Sequence, residues 1–249
     1  KKLLTIYIPS YNRGKSLLKQ LKAIGYSEKI DVIVNDNCST DTEYKNVEKY
    51  CLEHNYMYNK NHFNIGADAN IFNGFMEFYR SEYIWILSDD DLLTDEAVSK
   101  IVTILENNKL DILFFTHSKI ETLETKRWSQ KDFYENNIKT SDGAGLISNV
   151  IYKSDFIKES IPVGFQYIYT CFAHLSILIH SLKNKTAIVG NIGSYNFFLS
   201  DTALVPSDSS GYDRSFFGFV LLGELFEEKN KKRFINDWAN FWNLRHWYK

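Results

Sequence analysis

The sequence predicts an α/β domain with a mostly parallel central sheet and helices on both faces. Two observations lead to this fold class. Short apolar runs alternate with amphipathic segments from residue 3 to residue 116, as in repeated strand–helix units. Polar side chains follow the first, second and fourth runs, at the edge where such sheets bind ligands. Beyond residue 116 the alternation weakens, and we predict a mixed α and β portion there.

Each element of the first half is predicted from its apolar pattern. Compact runs rich in β-branched and aromatic residues predict strands at 3–8, 31–34, 56–58, 83–87 and 111–116. Apolar residues that recur every three or four positions predict helices at 15–24, 42–54, 67–79 and 94–106.

The second half has a less regular pattern. Residues 121–128 fit an edge hairpin or an insertion, and residues 146–152 fit a strand or a short helix. The apolar stretch 164–182 is predicted to be helical from about residue 167. Strands are predicted at 186–189 and 194–198, then a loop at 200–211 and a helix at 216–227.

The composition indicates a globular protein with no bulk attraction to nucleic acid. The chain has 249 residues and a net charge of −2, so we expect no nucleic-acid partner. Cys38, Cys51 and Cys171 are odd in number and lack metal-ligand spacing, which predicts free thiols in a reducing compartment such as the cytoplasm. No apolar run approaches the roughly 20 residues that span a bilayer, and no signal peptide is recognised at the start.

Three consecutive carboxylates, Asp89, Asp90 and Asp91, end the buried run 83–87 and follow Ser88. Adjacent carboxylates repel one another, and a hard divalent cation with a preference for oxygen ligands would relieve this repulsion. Such an ion could in turn neutralise the phosphates of a nucleotide. The alternative interpretation is a solvated acidic turn that caps the following helix, since Asp is common before helices.

The C-terminal segment 230–249 places aromatic residues on one face of a helix and basic residues around them. Phe234, Trp238, Phe241, Trp242 and Arg245 recur at spacings of three and four. This pattern fits a helix that lies in the headgroup region of an anionic membrane. It fits equally a terminal helix packed on the domain.

Three segments together resemble inverting glycosyltransferases of family 2, which have the GT-A fold, a Rossmann-like sheet. They are Ile-Pro-Ser-Tyr-Asn-Arg at 8–13, Val-Asn-Asp-Asn-Cys-Ser-Thr-Asp at 34–41, and the acidic strand end at 83–93. The resemblance covers about residues 3–102. The Ser-Asp-Asp-Asp form is similar to transferases that act on deoxyhexoses of bacterial O-antigens, such as abequosyltransferases.

The resemblance implies a set of site residues and a divalent cofactor, Mn²⁺ or Mg²⁺. Asp90 matches the metal ligand of the family, and Asp91 is a second candidate. Asp36 matches the acid that contacts the base or ribose, and Asp89 the residue near the ribose. The full set assigned to the nucleotide sugar is Pro9, Ser10, Tyr11, Asn12, Arg13, Asp36, Asn64 and Asp89.

The chain departs from the family pattern at three places. Ser88 replaces the first acid of the usual Asp-x-Asp motif, and the stretch 66–70 lacks the basic residue that many members carry, so Arg13 is expected to help neutralise the diphosphate. Residues 164–167 lack the acid that serves as catalytic base in many members.

His174 is our candidate for the missing base, and for a further metal ligand, because a neutral imidazole suits both roles. The alternative is a buried helix histidine with a satisfied ring. Asp142, Asp201 and Asp208 are weaker candidates for the base, and a loop or cap role suits each of them.

The resemblance predicts a metal-dependent transferase that moves a sugar from a nucleotide donor to a hydroxyl of a bacterial surface glycan or lipid-linked glycan, with inversion. Residues 1–117 would bind the nucleotide sugar, residues 118–229 the acceptor, and residues 230–249 would form the C-terminal helix. We expect a cytoplasmic protein, held at the inner face of the cytoplasmic membrane if that helix binds lipid. The alternatives are a sugar nucleotidyltransferase, or a non-catalytic glycan-assembly or glycan-binding subunit on the same fold.

Overall fold

The computed structural model describes residues 1–135, 143–199, 218 and 220–241, without the side chains of 184, 228, 229 and 237–241. Within these residues an eight-stranded sheet is covered by helices on both faces. The α/β fold class predicted from the sequence is therefore confirmed.

The first half alternates strand and helix as predicted. The strands are β1 (Lys2–Ser10), β2 (Ile30–Asp36), β3 (Met57–Lys60), β4 (Ser81–Ile86) and β5 (Ile112–Thr116). The helices are α1 (Gly14–Ile24), α2 (Tyr44–Glu53), α3 (Ala67–Met76) and α4 (Ala97–Asn107). Predicted and observed bounds differ by up to three residues, because the apolar period does not mark where a terminal turn begins.

The second half adds three strands and shorter helices. The strands are β6 (Glu124–Trp128), β7 (Val150–Lys153) and β8 (Ala187–Gly193). The helices are α5 (Gln130–Phe133), α6 (Ser154–Ile157), α7 (Ile161–Gln166), α8 (Ala173–Asn184) and α9 (Glu228–Phe241).

The strand order places a crevice between β1 and β4. The order is β3-β2-β1-β4-β7-β5-β8-β6, with β1 parallel to both β2 and β4. The chain runs outward from β1 to β3 and then returns to the other side of β1. This reversal is a switch point, where open α/β sheets bind ligands beyond the carboxyl ends of their strands. Strand β7 is antiparallel to both β4 and β5, so it joins the two parallel groups.

Alternate side chains of the central strands point into two separate hydrophobic cores, one on each face of the sheet. Along β1, Leu4, Ile6 and Ile8 join the core on the side of α1, α2 and α4. Tyr7 points to the opposite core, where it packs with Phe75 of α3 and with residues of α8. Both faces of the central strands are thus buried, which explains their nearly continuous apolar sequence.

Several predictions for the second half are corrected by the structure. Residues 194–198 do not form a strand, because β8 ends at Gly193 and a 3₁₀ turn, Ser194–Asn196, follows. The single helix predicted within 164–182 is instead α7, a 3₁₀ turn and α8, separated at Cys171, which has a φ of 65°. Residues 146–152 contain both predicted alternatives, a 3₁₀ turn and then β7. Short apolar runs do not distinguish these forms by period alone.

The start of the C-terminal segment packs on the domain. Phe234 of α9 is fully buried against Phe226, with ring centroids 4.6 Å apart. The predicted loop at 200–211 and residues 242–249 lie outside the described part of the chain. No helix in the described residues has the length and apolar character that crossing a membrane requires.

Candidate active site

A cleft of about 500 Å³ lies at the switch point, beyond the carboxyl ends of β1, β2 and β4. Six of its lining residues, Pro9, Ser10, Tyr11, Arg13, Asn64 and Asp89, are among those predicted to bind a nucleotide sugar. The structure therefore brings together side chains from three separate loops that the sequence assigned to one ligand. Of the described side chains that line the cleft, Arg13 alone carries a positive charge.

The acidic strand end meets Arg13 across the cleft. One guanidinium nitrogen, Nη1, lies 3.0 Å from Oδ1 of Asp89 and 2.6 Å from Oδ2 of Asp90. The other oxygen of Asp89 accepts a 2.6 Å hydrogen bond from Ser10 Oγ. Asp89 is buried, whereas about half of the Asp90 side chain is exposed. The corner thus presents one fixed carboxylate and one that faces the opening.

Ser88 takes a supporting role in this corner. Its hydroxyl donates a 2.5 Å hydrogen bond to Oδ1 of Asp90, and its backbone N–H donates to Ser148 Oγ at 2.9 Å. The Ser148 hydroxyl also hydrogen-bonds to Asp91. The family motif has a carboxylate at the position of Ser88. In this chain the Ser88 hydroxyl instead orients the carboxylate of Asp90.

Burial raises the pKa of the two inner carboxylates, Asp89 and Asp91. It raises the pKa of Asp89, while the hydrogen bond from Ser10 and the charge of Arg13 oppose that rise. It also raises the pKa of Asp91, against the hydrogen bond from Ser148. Two acids with raised pKa values favour a nearby cation, because a cation stabilises their charged forms.

The donor set of this corner fits a divalent ion only in part. Asp89 and Asp90 already share one cation, the guanidinium of Arg13, so the corner accepts positive charge. In the described residues, no three His, Cys, Asp or Glu side chains are grouped closely enough to hold a metal ion. Mg²⁺ is commonly bound by one or two carboxylates together with substrate phosphates and waters, and Asp90 suits that mode.

Asn12 and Asp36 were also predicted to contact the nucleotide sugar. In the structure both side chains form hydrogen bonds within the protein that stabilise the loops. Asn12 Oδ1 accepts hydrogen bonds from the backbone N–H groups of Thr40 and Asp41, which ties the β1–α1 loop to the β2–α2 loop. Asp36 is fully buried and accepts from Ser39 N at 2.7 Å and from Tyr58 OH at 2.8 Å. Its contact with a ligand remains a prediction.

A chain of hydrogen-bonded asparagine side chains, of which the sequence analysis had singled out only Asn64, forms the far wall of the cleft. Asn70 Oδ1 accepts hydrogen bonds from Asn35 at 2.5 Å and from Asn61 at 3.1 Å. Asn37 Nδ2 in turn donates to Asn64 Oδ1 at 2.8 Å. These contacts hold the start of α3 against the end of β2. Residues 35–70 contain eight asparagines, which is a visible signal in the sequence, but only the fold shows that five of them converge.

His174 is not one of the described residues that line the cleft. Its ring is 2% exposed, and Nε2 is 3.0 Å from the carbonyl oxygen of Gly145. Burial lowers the pKa of His174 to about 4, so the ring is neutral at pH 7. These features match the alternative interpretation of a buried histidine with a satisfied ring. The other base candidates, Asp142, Asp201 and Asp208, fall outside the described residues.

Sequence comparison assigns the chain to a family. The sequence profile described as glycosyl transferase family 2 matches residues 5–177, which is more than half of the chain. The chain therefore belongs to glycosyl transferase family 2. Its cleft at the switch point and its sheet order are those of the GT-A fold.

The curated relatives include a bacterial abequosyltransferase. The chain is 30% identical over 194 residues to the abequosyltransferase RfbV of Salmonella typhimurium, which covers 75% of this chain and 55% of that relative. It is 23% identical over 113 residues to the poly(ribitol-phosphate) β-N-acetylglucosaminyltransferase TarS of Staphylococcus aureus, which covers 44% of this chain and 20% of that protein. The chain thus spans about half, or less, of these relatives.

Solved structures confirm the fold. The crystal structure of S. aureus TarS 1–349 in complex with UDP-GlcNAc matches with a TM-score of 0.65 at 14% identity, over 96% of this chain and 72% of that one. The mannosyltransferase PcManGT from Pyrobaculum calidifontis, in complex with GDP-Man and Mn²⁺, matches with a TM-score of 0.54 at 15% identity, over 95% and 68% of the two chains.

Proposed function

We propose that this chain is a metal-dependent, inverting glycosyltransferase. It moves a sugar from a nucleotide donor to a hydroxyl of a bacterial surface glycan or lipid-linked glycan. The observation that carries the proposal is the cleft at the switch point, where Arg13, Asp89 and Asp90 meet. The similarity to an abequosyltransferase and to a poly(ribitol-phosphate) β-N-acetylglucosaminyltransferase supports the glycan acceptor.

The side chains of the cleft suit binding of the donor in one orientation. The exposed ring of Tyr11 and the amide of Asn64 offer a flat face and hydrogen-bonding groups to a nucleoside. Arg13 offers positive charge to a diphosphate at the opposite carboxylate corner. Fixing the donor by these loops lowers the entropic part of the barrier.

A divalent ion, Mn²⁺ or Mg²⁺, would be held by Asp90, with Asp91 or Asp89 beside it. When bound, it would stabilise the negative charge that the leaving diphosphate gains. Arg13 would then be free to turn from Asp90 towards the phosphates, because its ion pair with Asp90 is half exposed. The buried carboxylate of Asp89 would keep its hydrogen bond with Ser10 and orient the nucleoside side.

A cytoplasmic location also belongs to this proposal. The three cysteines are free thiols, as expected of a reducing compartment. The basic and aromatic end of the chain would hold the protein at an anionic membrane surface, close to a lipid-linked acceptor.

Asp90→Asn tests the metal role directly. In thermal-shift measurements, Mn²⁺ should increase the stabilisation that nucleoside diphosphates give the wild type, since a ligand of the native state raises apparent stability. The variant should lose this Mn²⁺-dependent part and keep the metal-free part. Its transfer rate should fall by about 100-fold or more. Asp95→Asn, an exposed neighbour, is the matched control.

Three outcomes separate this proposal from its alternatives. Equal Mn²⁺ responses in the wild type and Asp90→Asn would remove the metal role. Release of pyrophosphate from a sugar phosphate and an NTP would identify a nucleotidyltransferase. Nucleotide binding without turnover across a broad panel of donors and acceptors would favour a non-catalytic subunit.

A further inference from the structure

Gln20 is a polar residue on the buried face of α1. Its neighbours on that face, Leu17, Leu21 and Ile24, belong to the hydrophobic core on the side of α1, α2 and α4. Gln20 is as fully buried as Leu17 and Leu21. A side-chain amide at such a depth has lost its hydrogen bonds to water, which costs free energy unless groups of the protein replace them. The position of Gln20 therefore calls for specific partners inside the protein.

Both ends of the Gln20 amide bind the backbone of the acidic loop, which we define as residues 88–93. Nε2 donates a 2.7 Å hydrogen bond to the carbonyl oxygen of Asp91, and Oε1 accepts a 3.1 Å hydrogen bond from the backbone N–H of Leu93. This loop follows β4, whose regular ladder ends at Ile86. One buried side chain thus fixes two peptide groups of the loop that carries the three carboxylates.

The same helix is joined to the cation of the carboxylate corner. Arg13 directly precedes α1, and its Nη1 lies 3.0 Å from Asp89 Oδ1 and 2.6 Å from Asp90 Oδ2. Arg13 and Gln20 are about two helical turns apart. Because a helix is a rigid element, the Gln20 amide holds the loop backbone at a set position relative to the start of α1. The distance between the guanidinium and the carboxylates of Asp89 and Asp90 therefore depends on this amide.

Residues of the second half hold the acidic loop at other points. Ser148 Oγ accepts a 2.9 Å hydrogen bond from the backbone N–H of Ser88 and also hydrogen-bonds to the side chain of Asp91. The backbone N–H of Leu199 donates to the carbonyl oxygen of Leu92 at 2.8 Å. These contacts use other groups of the loop than the two that bind the amide, so they do not replace it.

Loss of the amide would leave two backbone groups of the loop without these partners. Leu93 is fully buried, in the same core as the buried face of α1. A buried donor or acceptor without a partner is destabilising, so the loop would shift until its N–H and carbonyl groups reach water. Asp89 and Asp90 precede this point directly in the chain, and their carboxylates would shift with the backbone. A shift of this kind weakens a binding site although no ligand group is removed.

We propose that Gln20 is a positioning residue for the transfer, an inference that rests on the function proposed above. It is not among the described residues that line the cleft, and it acts through the acidic loop. By holding the loop backbone, it keeps Asp89 and Asp90 where they face Arg13 and the diphosphate of a bound donor.

The first test follows the loop itself in wild type, Gln20→Met and the matched control Leu21→Ala. Methionine is close to glutamine in size but has no amide, and Gln20→Leu is a second variant of the same kind. Leu21 is a fully buried neighbour on α1, so its truncation weakens the same core and leaves the amide in place. Amide hydrogen exchange at residues 88–93 should become at least about fivefold faster in Gln20→Met and change less in Leu21→Ala.

The second test measures the binding of UDP, GDP, CDP and dTDP in the presence of Mn²⁺ by titration calorimetry, well below the melting temperature of each variant. For the ligand that binds the wild type most tightly, Gln20→Met and Gln20→Leu should bind at least about tenfold more weakly. Leu21→Ala should bind it as tightly as the wild type does, although its melting temperature also falls. A role in folding alone would instead make the affinity of every variant follow its melting temperature.

Three results would overturn the inference. They are unchanged hydrogen exchange of the acidic loop in Gln20→Met, binding by Gln20→Met as tight as that of the wild type, and an equal loss of affinity in Leu21→Ala. A wild type that binds no nucleoside diphosphate would overturn the proposed function, and with it the role of Gln20 in the transfer. The exchange measurement would still show in that case whether Gln20 holds the loop.

Discussion

At the scale of single residues, His174 shows how burial decides the state of a titratable group. The ring contacts Phe172 and the backbone of residues 144 and 145, and the structure records no carboxylate partner for it among the described residues. Burial therefore lowers the pKa of His174 to about 4, against an ordinary value of 6.5. In the unfolded chain the ring regains the ordinary pKa, so protons bind the unfolded state more tightly.

The free energy of unfolding should accordingly fall as the pH drops from about 6.5 towards 4, by up to about 3 kcal/mol from this one group. His174→Gln keeps a donor for the Gly145 carbonyl but does not titrate. Urea unfolding of both proteins between pH 4.5 and 7.5 should show the wild type losing stability relative to this variant at the acidic end. The exposed residue His62, changed to Gln, serves as control. A difference between wild type and His174→Gln that is independent of pH would contradict the prediction.

The sequence predicted which loops surround the cleft better than it predicted what each side chain in those loops does. Ser10, Arg13 and Asp89 converge on the cleft because the parallel strands that precede them end at one edge of the sheet. Asn12 lies in the same loop as Arg13, and Asp36 ends the neighbouring strand β2. Asn12 accepts hydrogen bonds from backbone N–H groups, and Asp36 accepts from a backbone N–H group and from the Tyr58 hydroxyl. The sequence could not show which side chains form hydrogen bonds that stabilise the loops, because these bonds depend on distances between segments that are far apart in the chain.

At the scale of elements, α3 sets the geometry of the cleft, because its residues Ala67, Asn70 and Ile71 form part of the cleft wall. A glycine allows this helix to approach the sheet closely. A Cβ added to Gly74 would lie 2.4 Å from Ile86 Cδ1 and 2.6 Å from Tyr7 Cδ1, far inside contact distance. The sequence alone does not show that Gly74 contacts the sheet, because a glycine adds nothing to the apolar pattern of a helix.

Gly74→Ala should therefore destabilise the fold. Overpacking usually costs about 1–3 kcal/mol, which outweighs the gain of up to about 1 kcal/mol in helix propensity. We expect a lower melting temperature and weaker binding of nucleoside diphosphate, because a displaced α3 moves Asn70 away from Asn35. Gly145→Ala, whose Cβ would meet Phe172 at an ordinary 3.9 Å, is the control. Unchanged stability in Gly74→Ala would show that α3 shifts without cost.

Elements of the second half were harder to predict than those of the first. Strand β7 is inserted between β4 and β5 and runs antiparallel to both, so its short run is not part of the regular strand–helix repeat of the first half. The break between α7 and α8 depends on the conformation of Cys171, and a cysteine gives no such indication in sequence. Apolar periodicity specifies repeated units well and single insertions poorly.

At the scale of the whole molecule, the sheet separates two cores, and the C-terminal segment belongs to one of them at its start. Phe234 packs with Phe226 and with Tyr134, whose ring centroid is 6.5 Å away, inside the core that also holds α8. The aromatic spacing that suggested a membrane face is therefore used, at this position, for packing. A truncation that removed Phe234 would expose this core to solvent. A loss of lipid binding could then not be distinguished from a loss of folding.

Removal of residues 242–249 alone separates the two effects. This segment contains Trp242, Arg245 and Lys249, and each basic residue near an anionic surface contributes about 1 kcal/mol to binding. If the proposed membrane contact is correct, the full chain should sediment with vesicles rich in phosphatidylserine. The shortened chain should bind them at least about tenfold more weakly, with an unchanged melting temperature. Binding of the full chain should also fall as salt is added, because screening weakens attraction to anionic headgroups. Equal binding by the two chains, or equal binding to neutral vesicles, would show that this end of the chain does not act on lipid.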